Sequence, residues 1–174
     1  MLRHALCILL LLLVKPASAD EVIVAVASSF KAPMQALTPL FEQQTGHRVL
    51  ASFGSSGKLA SQVGRGAPFE VFLSADEATP AGLERDGAAV AGTRFTYAVG
   101  RLVLWSRDPG LVDADGAVLH GDRFDRLAIA DPRLAPYGAA ATQTLRRLGL
   151  LERLQPRLVI GENITQAHQF VATG

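Results

Sequence analysis

The chain has 174 residues, of which 49% are hydrophobic, 19% charged and 6% aromatic, and its formal net charge is +1. Too apolar and too sparsely charged for a disordered chain, it is long enough for one or two domains with a buried core. Lys and Arg scattered singly around neutrality exclude an electrostatic nucleic-acid binder, and no internal repeat is present.

The first nineteen residues have the order of a secretory signal. Met1-Leu2-Arg3-His4 is basic, Ala5 to Val14 is an unbroken apolar run, Pro16 breaks it, and Ala17-Ser18-Ala19 supplies the small residues a signal peptidase needs. The run falls short of the roughly 20 apolar residues that cross a bilayer. Residues 1–19 are therefore predicted to be a cleaved signal peptide, which makes the protein an exported one with Asp20 at its mature N-terminus. The single cysteine, Cys7, leaves with the signal. The mature chain then has no disulfide, thiolate metal site or cysteine nucleophile.

Strands and helices alternate along the mature chain. Glu21–Ala27 is a continuous β-branched run, as in a central strand covered on both faces. Pro33 suits a first helical turn, and Met34, Leu37, Leu40 and Phe41 come after it at helical spacing until Gly46. Arg48–Phe53 is a second strand, Gly54-Ser55-Ser56-Gly57 a tight loop, and Leu59 and Val63 mark a short helix. Phe69–Leu73 is a third strand, and a helix around Ala78–Asp86 ends at Gly87. Tyr97–Ser106 is an apolar stretch interrupted by Gly100. Leu127–Ala130 is a short strand, Ala139–Leu148 a helix with Leu145 and Leu148 inward, Leu158–Ile160 a strand, and Ile164–Val171 the start of another helix.

The order βαβαβα, a connection, then βαβ predicts an α/β fold of mostly parallel sheets with crossover helices. It divides into a first lobe over residues 20–98 and a second over 99–174, hinged at Tyr97–Gly100. A second lobe with so few strands exposes sheet edges, so it is expected to be incomplete, lacking a C-terminal return to the first lobe.

In open α/β sheets, ligands bind where strands end and helices begin. Three loops fit: Ala27-Ser28-Ser29-Phe30, Phe53-Gly54-Ser55-Ser56-Gly57, and Asp131 to Gly138 with Tyr137. Their hydroxyls and backbone amides are neutral donors, which suit a fully deprotonated tetraoxyanion; phosphate keeps a proton at neutral pH and calls for an acceptor. The same serines also make ordinary helix caps.

Catalytic alternatives find less support. Lys58 stands where a nucleophile elbow needs Gly. Ser52 and Leu59 break a phosphate-binding loop. His47, His120 and His168 have no ligand partner at metal spacing. Asp76-Glu77 and Asp131 could form an acid–base pair, but they read better as a helix cap and an Asp-Pro turn. The chain is expected to be no enzyme and to hold no cofactor and no direct metal ligand. An exported hydrolase or transferase acting on a phosphate ester is the alternative.

The motifs VAVASSFKAPM, FEQQTGHRV, SFGSSGKLASQVGRGAPFEVFLSAD, YAVGRLVLWS, LAIADPRLAPYGAAATQTL and GENITQA together resemble the periplasmic molybdate-binding proteins of ABC transporters, from Val22 to the last residue. The resemblance implies a two-lobed type II periplasmic-binding fold. It implies that a monomer binds molybdate, and tungstate too, and delivers it to the membrane permease. It also implies the oxyanion contacts: Ser29 with Ser28 beside it, Ser56, Tyr137, and the backbone amide of Ile164. Members of that family continue well past the position of Gly174.

Overall fold

A computed structural model describes residues 20–174; the predicted signal peptide, Cys7 included, lies outside the described residues. Strand β1 (Glu21–Ala27) leads through a 3-10 turn at Ser28–Phe30 into helix α1 (Lys31–Thr45). Strand β2 (Arg48–Gly54), helix α2 (Ser56–Val63), strand β3 (Val71–Leu73) and helix α3 (Ala78–Arg85) come next. Beyond a long connection with a 3-10 turn at Ala117–His120 lie β4 (Leu127–Ala130), α4 (Pro136–Arg147), α5 (Leu151–Leu154), β5 (Leu158–Gly161) and α6 (Ile164–Thr173).

The strands form two parallel sheets, β2-β1-β3 and β4-β5. The β-branched β1 is the central strand of the first, with Val24 to Ala27 buried, as its unbroken apolar run predicts. Register decides what happens at the strand ends. Ala27 pairs with Gly54, Val26 with Leu73, and Ala130 with Gly161. The chain therefore leaves β1 and β2 at the same level, which sets the Ser28 and Ser55 loops side by side.

Each sheet has its own core. Val24, Val26 and Met34 with Phe30, Val49 and Leu73 pack in the first unit; Val118, Leu119, Leu145, Leu150 and Leu154 with Phe124, Leu127 and Leu158 pack in the second. The connection is fastened at both ends. Tyr97 donates its hydroxyl to the Ser74 carbonyl at 2.7 Å and meets Phe30 edge-on at 5.0 Å, while Trp105 stacks on His168 of α6 at 4.7 Å.

Two expectations are corrected, and the apolar face of α1 is found exposed. Leu37, Leu40 and Phe41 share a face of α1, but that face is exposed and only Met34 is buried. Leu148 is exposed as well, because α4 ends at Arg147, Gly149 takes a left-handed turn (φ 69°), and the chain buries Leu150 and Leu154 instead. Helix α4 begins at Pro136, three residues before the expected Ala139. Proline at the first helical position has the right φ and no N–H left unpaired, so Tyr137 sits in the first turn of the helix.

Candidate functional site

A cleft lies between the two units and is lined by Ala27, Ser28, Ser29, Gly54, Ser55, Ser56, Ala75, Ala135, Pro136, Tyr137 and Ile164. All five residues singled out from the sequence, Ser28, Ser29, Ser56, Tyr137 and Ile164, meet here. Each stands where a strand gives way to a helix: Ser28 and Ser29 in the turn before α1, Ser56 at the start of α2, Tyr137 in the first turn of α4, and Ile164 at the start of α6. Unpaired N–H groups and the positive ends of helix dipoles therefore gather around the cleft, and no charged side chain lines it.

The hydroxyls differ in what they already do. Ser28 is buried, and its carbonyl accepts from the Thr165 hydroxyl at 3.3 Å. Ser29 is exposed. Ser56 is 1% exposed, and its Oγ accepts the backbone N–H of Ala75 at 3.0 Å. That bond occupies a lone pair and leaves the Ser56 proton to donate into the cleft. Tyr137 is half-buried at the opposite wall. Burial, and secondarily the proximity of Tyr137, push the Tyr97 phenol above its ordinary pKa, so it remains a neutral donor to Ser74. At α6 the Asn163 side chain accepts from Gln166 N–H at 3.1 Å; this caps the third residue of the helix and leaves the first-turn amide of Ile164 to the cleft.

Three contacts join the units around this cleft. Gly57 N–H donates to the Leu134 carbonyl at 2.8 Å, Lys58 Nζ pairs with Glu162 Oε1 at 2.8 Å, and Thr165 reaches Ser28. Residue spacing carries no sign of them, because each joins residues far apart in the chain. The GSSG loop hints only at the first: a Cβ on Gly57 would stand 3.0 Å from the Leu134 oxygen, a tight approach that glycine relieves.

The carboxylates of the alternative acid–base pair lie elsewhere. Asp76 Oδ1 accepts from Thr79 N–H at 3.0 Å and from the Ser74 hydroxyl at 3.1 Å, so it caps α3. Asp131 is buried and bidentate to Arg133, whose side-chain and backbone hydrogen bonds hold its carboxyl below the ordinary range. Among the described residues, no three His, Cys, Asp or Glu side chains are grouped to hold a metal ion.

A family model for bacterial extracellular solute-binding proteins matches residues 22–174. The chain is 58% identical over 163 residues to the molybdate-binding protein ModA of Azotobacter vinelandii, covering 94% of this chain and 65% of that protein. It is 54% identical over 159 residues to ModA of Rhodobacter capsulatus, covering 91% and 63%. It thus spans just under two thirds of the length of these curated relatives. The solved structure of the Azotobacter vinelandii periplasmic molybdate-binding protein superimposes with a TM-score of 0.86 at 48% identity, covering 88% of this chain and 67% of that one.

Proposed function

The chain belongs to the bacterial extracellular solute-binding proteins, and on that basis we propose that its cleft binds molybdate, and tungstate as well, in the periplasm for delivery to the permease of an ABC transporter. The observation that carries this reading is the lining of the cleft: four helix starts and neutral hydroxyls converge on it, and no side chain there carries a charge or a carboxylate acceptor. A fully deprotonated tetraoxyanion offers only lone pairs, so every contact it makes here is a donor meeting an acceptor. Ser28, Ser29, Ser56 and Tyr137 supply hydroxyls, and Ile164 supplies its backbone amide. Similarity to molybdate-binding proteins over nearly the whole chain supports the same choice of anion.

In this reading residues 20–98 and 99–174 act as two lobes that swing about Tyr97–Gly100 and hold one anion between them in a monomer. Residues 1–19 direct export and are removed. Binding involves no covalent step and the protein is no enzyme: the hydroxyl of Ser56 has Ala75 N–H as its neighbour where a nucleophile would need a base. A phosphate-ester hydrolase or transferase would need that base.

A thermal-shift screen tests the assignment. Molybdate and tungstate are expected to raise the melting temperature, while phosphate and phosphate esters leave it unchanged. Stabilisation by a phosphate ester with release of phosphate, and none by molybdate, would overturn it.

A further inference from the structure

Ser55, in the tight loop between β2 and α2, has the one buried side-chain polar atom among the described residues that lacks a hydrogen-bond partner, its Oγ. The residue is 2% exposed and lines the cleft. It occupies the N-cap position of α2, where serine ordinarily accepts a hydrogen bond from the first helical turn, but its side chain makes no such bond. Two neighbouring buried hydroxyls are engaged, Ser56 Oγ with Ala75 N–H and Ser74 Oγ with Asp76. Buried polar atoms in folded proteins nearly always have partners, so an exception at the wall of a ligand cleft calls for one.

We propose that Ser55 is a further oxyanion-binding residue, whose hydroxyl donates to the bound tetraoxyanion and finds its partner only when the cleft is occupied. Three features combine to give it this role. The pairing of Ala27 with Gly54 holds the Ser55 loop beside Ser28. Ser55 stands at the N-terminal end of α2, where the helix dipole favours an anion. The Ser55 oxygen is withdrawn from water, so a hydrogen bond from it to an anion meets little competition. The inference rests on the proposed anion binding and adds a contact to it.

Calorimetric titration with sodium molybdate and melting of the ligand-free protein, measured for the wild type, Ser55→Ala and Ser55→Gly, test it. Glycine is tolerated at an N-cap, so the second variant guards against a folding defect in the first. The expected result is molybdate affinity roughly ten- to a hundredfold weaker in both variants, with the ligand-free melting temperature unchanged or raised, because an unpartnered buried hydroxyl has gone. Wild-type affinity in both variants overturns the role of Ser55 and leaves the anion site standing. A lowered ligand-free melting temperature in both variants, with affinity retained in whatever remains folded, makes Ser55 a structural cap and also overturns it. A wild-type protein that binds no molybdate overturns the underlying reading, and this inference with it.

Discussion

Tyr137 occupies the space that Gly100 leaves open: a Cβ at Gly100 would collide with the Tyr137 hydroxyl and stand 3.2 Å from its Cζ. Gly100 is not in a left-handed conformation, so the constraint is steric. The connection between the two units thereby touches a residue of the cleft directly, and the position of the link and the position of the tyrosine hydroxyl depend on each other.

Gly100→Ala is expected to displace the Tyr137 ring and weaken molybdate binding about tenfold, close to the effect of Tyr137→Phe, which removes one hydrogen bond to a charged ligand. The double variant should be little worse than either single one, because both act through the same hydroxyl. Calorimetric titration of all three measures this, and strictly additive losses would show that Gly100 acts elsewhere.

The two assigned serines should separate. Ser29 is exposed, so Ser29→Ala should weaken molybdate binding by about 1.5–3 kcal/mol with melting unchanged. Ser56→Ala should have the same effect on affinity and also destabilise the ligand-free protein by about 1–3 kcal/mol, because the Ala75 N–H loses its acceptor in a buried site. Denaturant melts alongside titrations distinguish the two; equal stability losses would contradict the geometry.

These contacts show how far the sequence can be read. Glycine, serine and proline where apolar runs stop mark the ends of β1, β2 and β4, and parallel alternation requires those ends to lie on one side. The convergence of Ser28, Ser29, Ser56, Tyr137 and Ile164 is a consequence of that topology. Helical period shows which side chains share a face, but not whether anything packs on it, so it does not disclose the exposure of Leu37, Leu40 and Phe41. Steric fits such as Gly100 with Tyr137, and the missing partner of Ser55, depend on tertiary positions that no local pattern encodes.

Of the contacts joining the units, the backbone approach at Gly57 should matter more than the ion pair. Lys58 and Glu162 have side chains about half exposed (50% and 43%), and such pairs contribute about 0–1 kcal/mol. Glu162→Gln should therefore change molybdate affinity less than about fivefold, and less still at high salt. Gly57→Ala places a methyl against the Leu134 carbonyl and Cα, at 3.0 and 3.3 Å. It should hold the units apart and weaken binding about tenfold or more, seen chiefly as faster dissociation in stopped-flow measurements. A larger loss in Glu162→Gln than in Gly57→Ala would reverse this ranking.

Asp131 gives a pH dependence of stability. Arg133 holds its folded pKa below the unfolded value of about 3.9. A depressed carboxyl pKa stabilises the fold above the unfolded pKa, and that contribution is lost as pH falls through the folded pKa. Asp131→Asn should thus melt below the wild type at pH 7, with the gap narrowing below about pH 4. A gap that persists at the lowest pH would mean that packing, and not charge, accounts for the difference.

A cleft that holds one tetraoxyanion through neutral donors alone has a distinctive binding signature. Calorimetric titration with molybdate, at two pH values between about 7 and 9 and with phosphate as competitor, reads it out. Saturable binding of one molybdate per chain is expected, with equal affinity at both pH values because no ionisable carboxylate, imidazole or ammonium lines the cleft, and with little displacement by phosphate. Absence of saturable binding, or displacement by phosphate at concentrations comparable to molybdate, would show that neutral donors between the two sheets do not define the site.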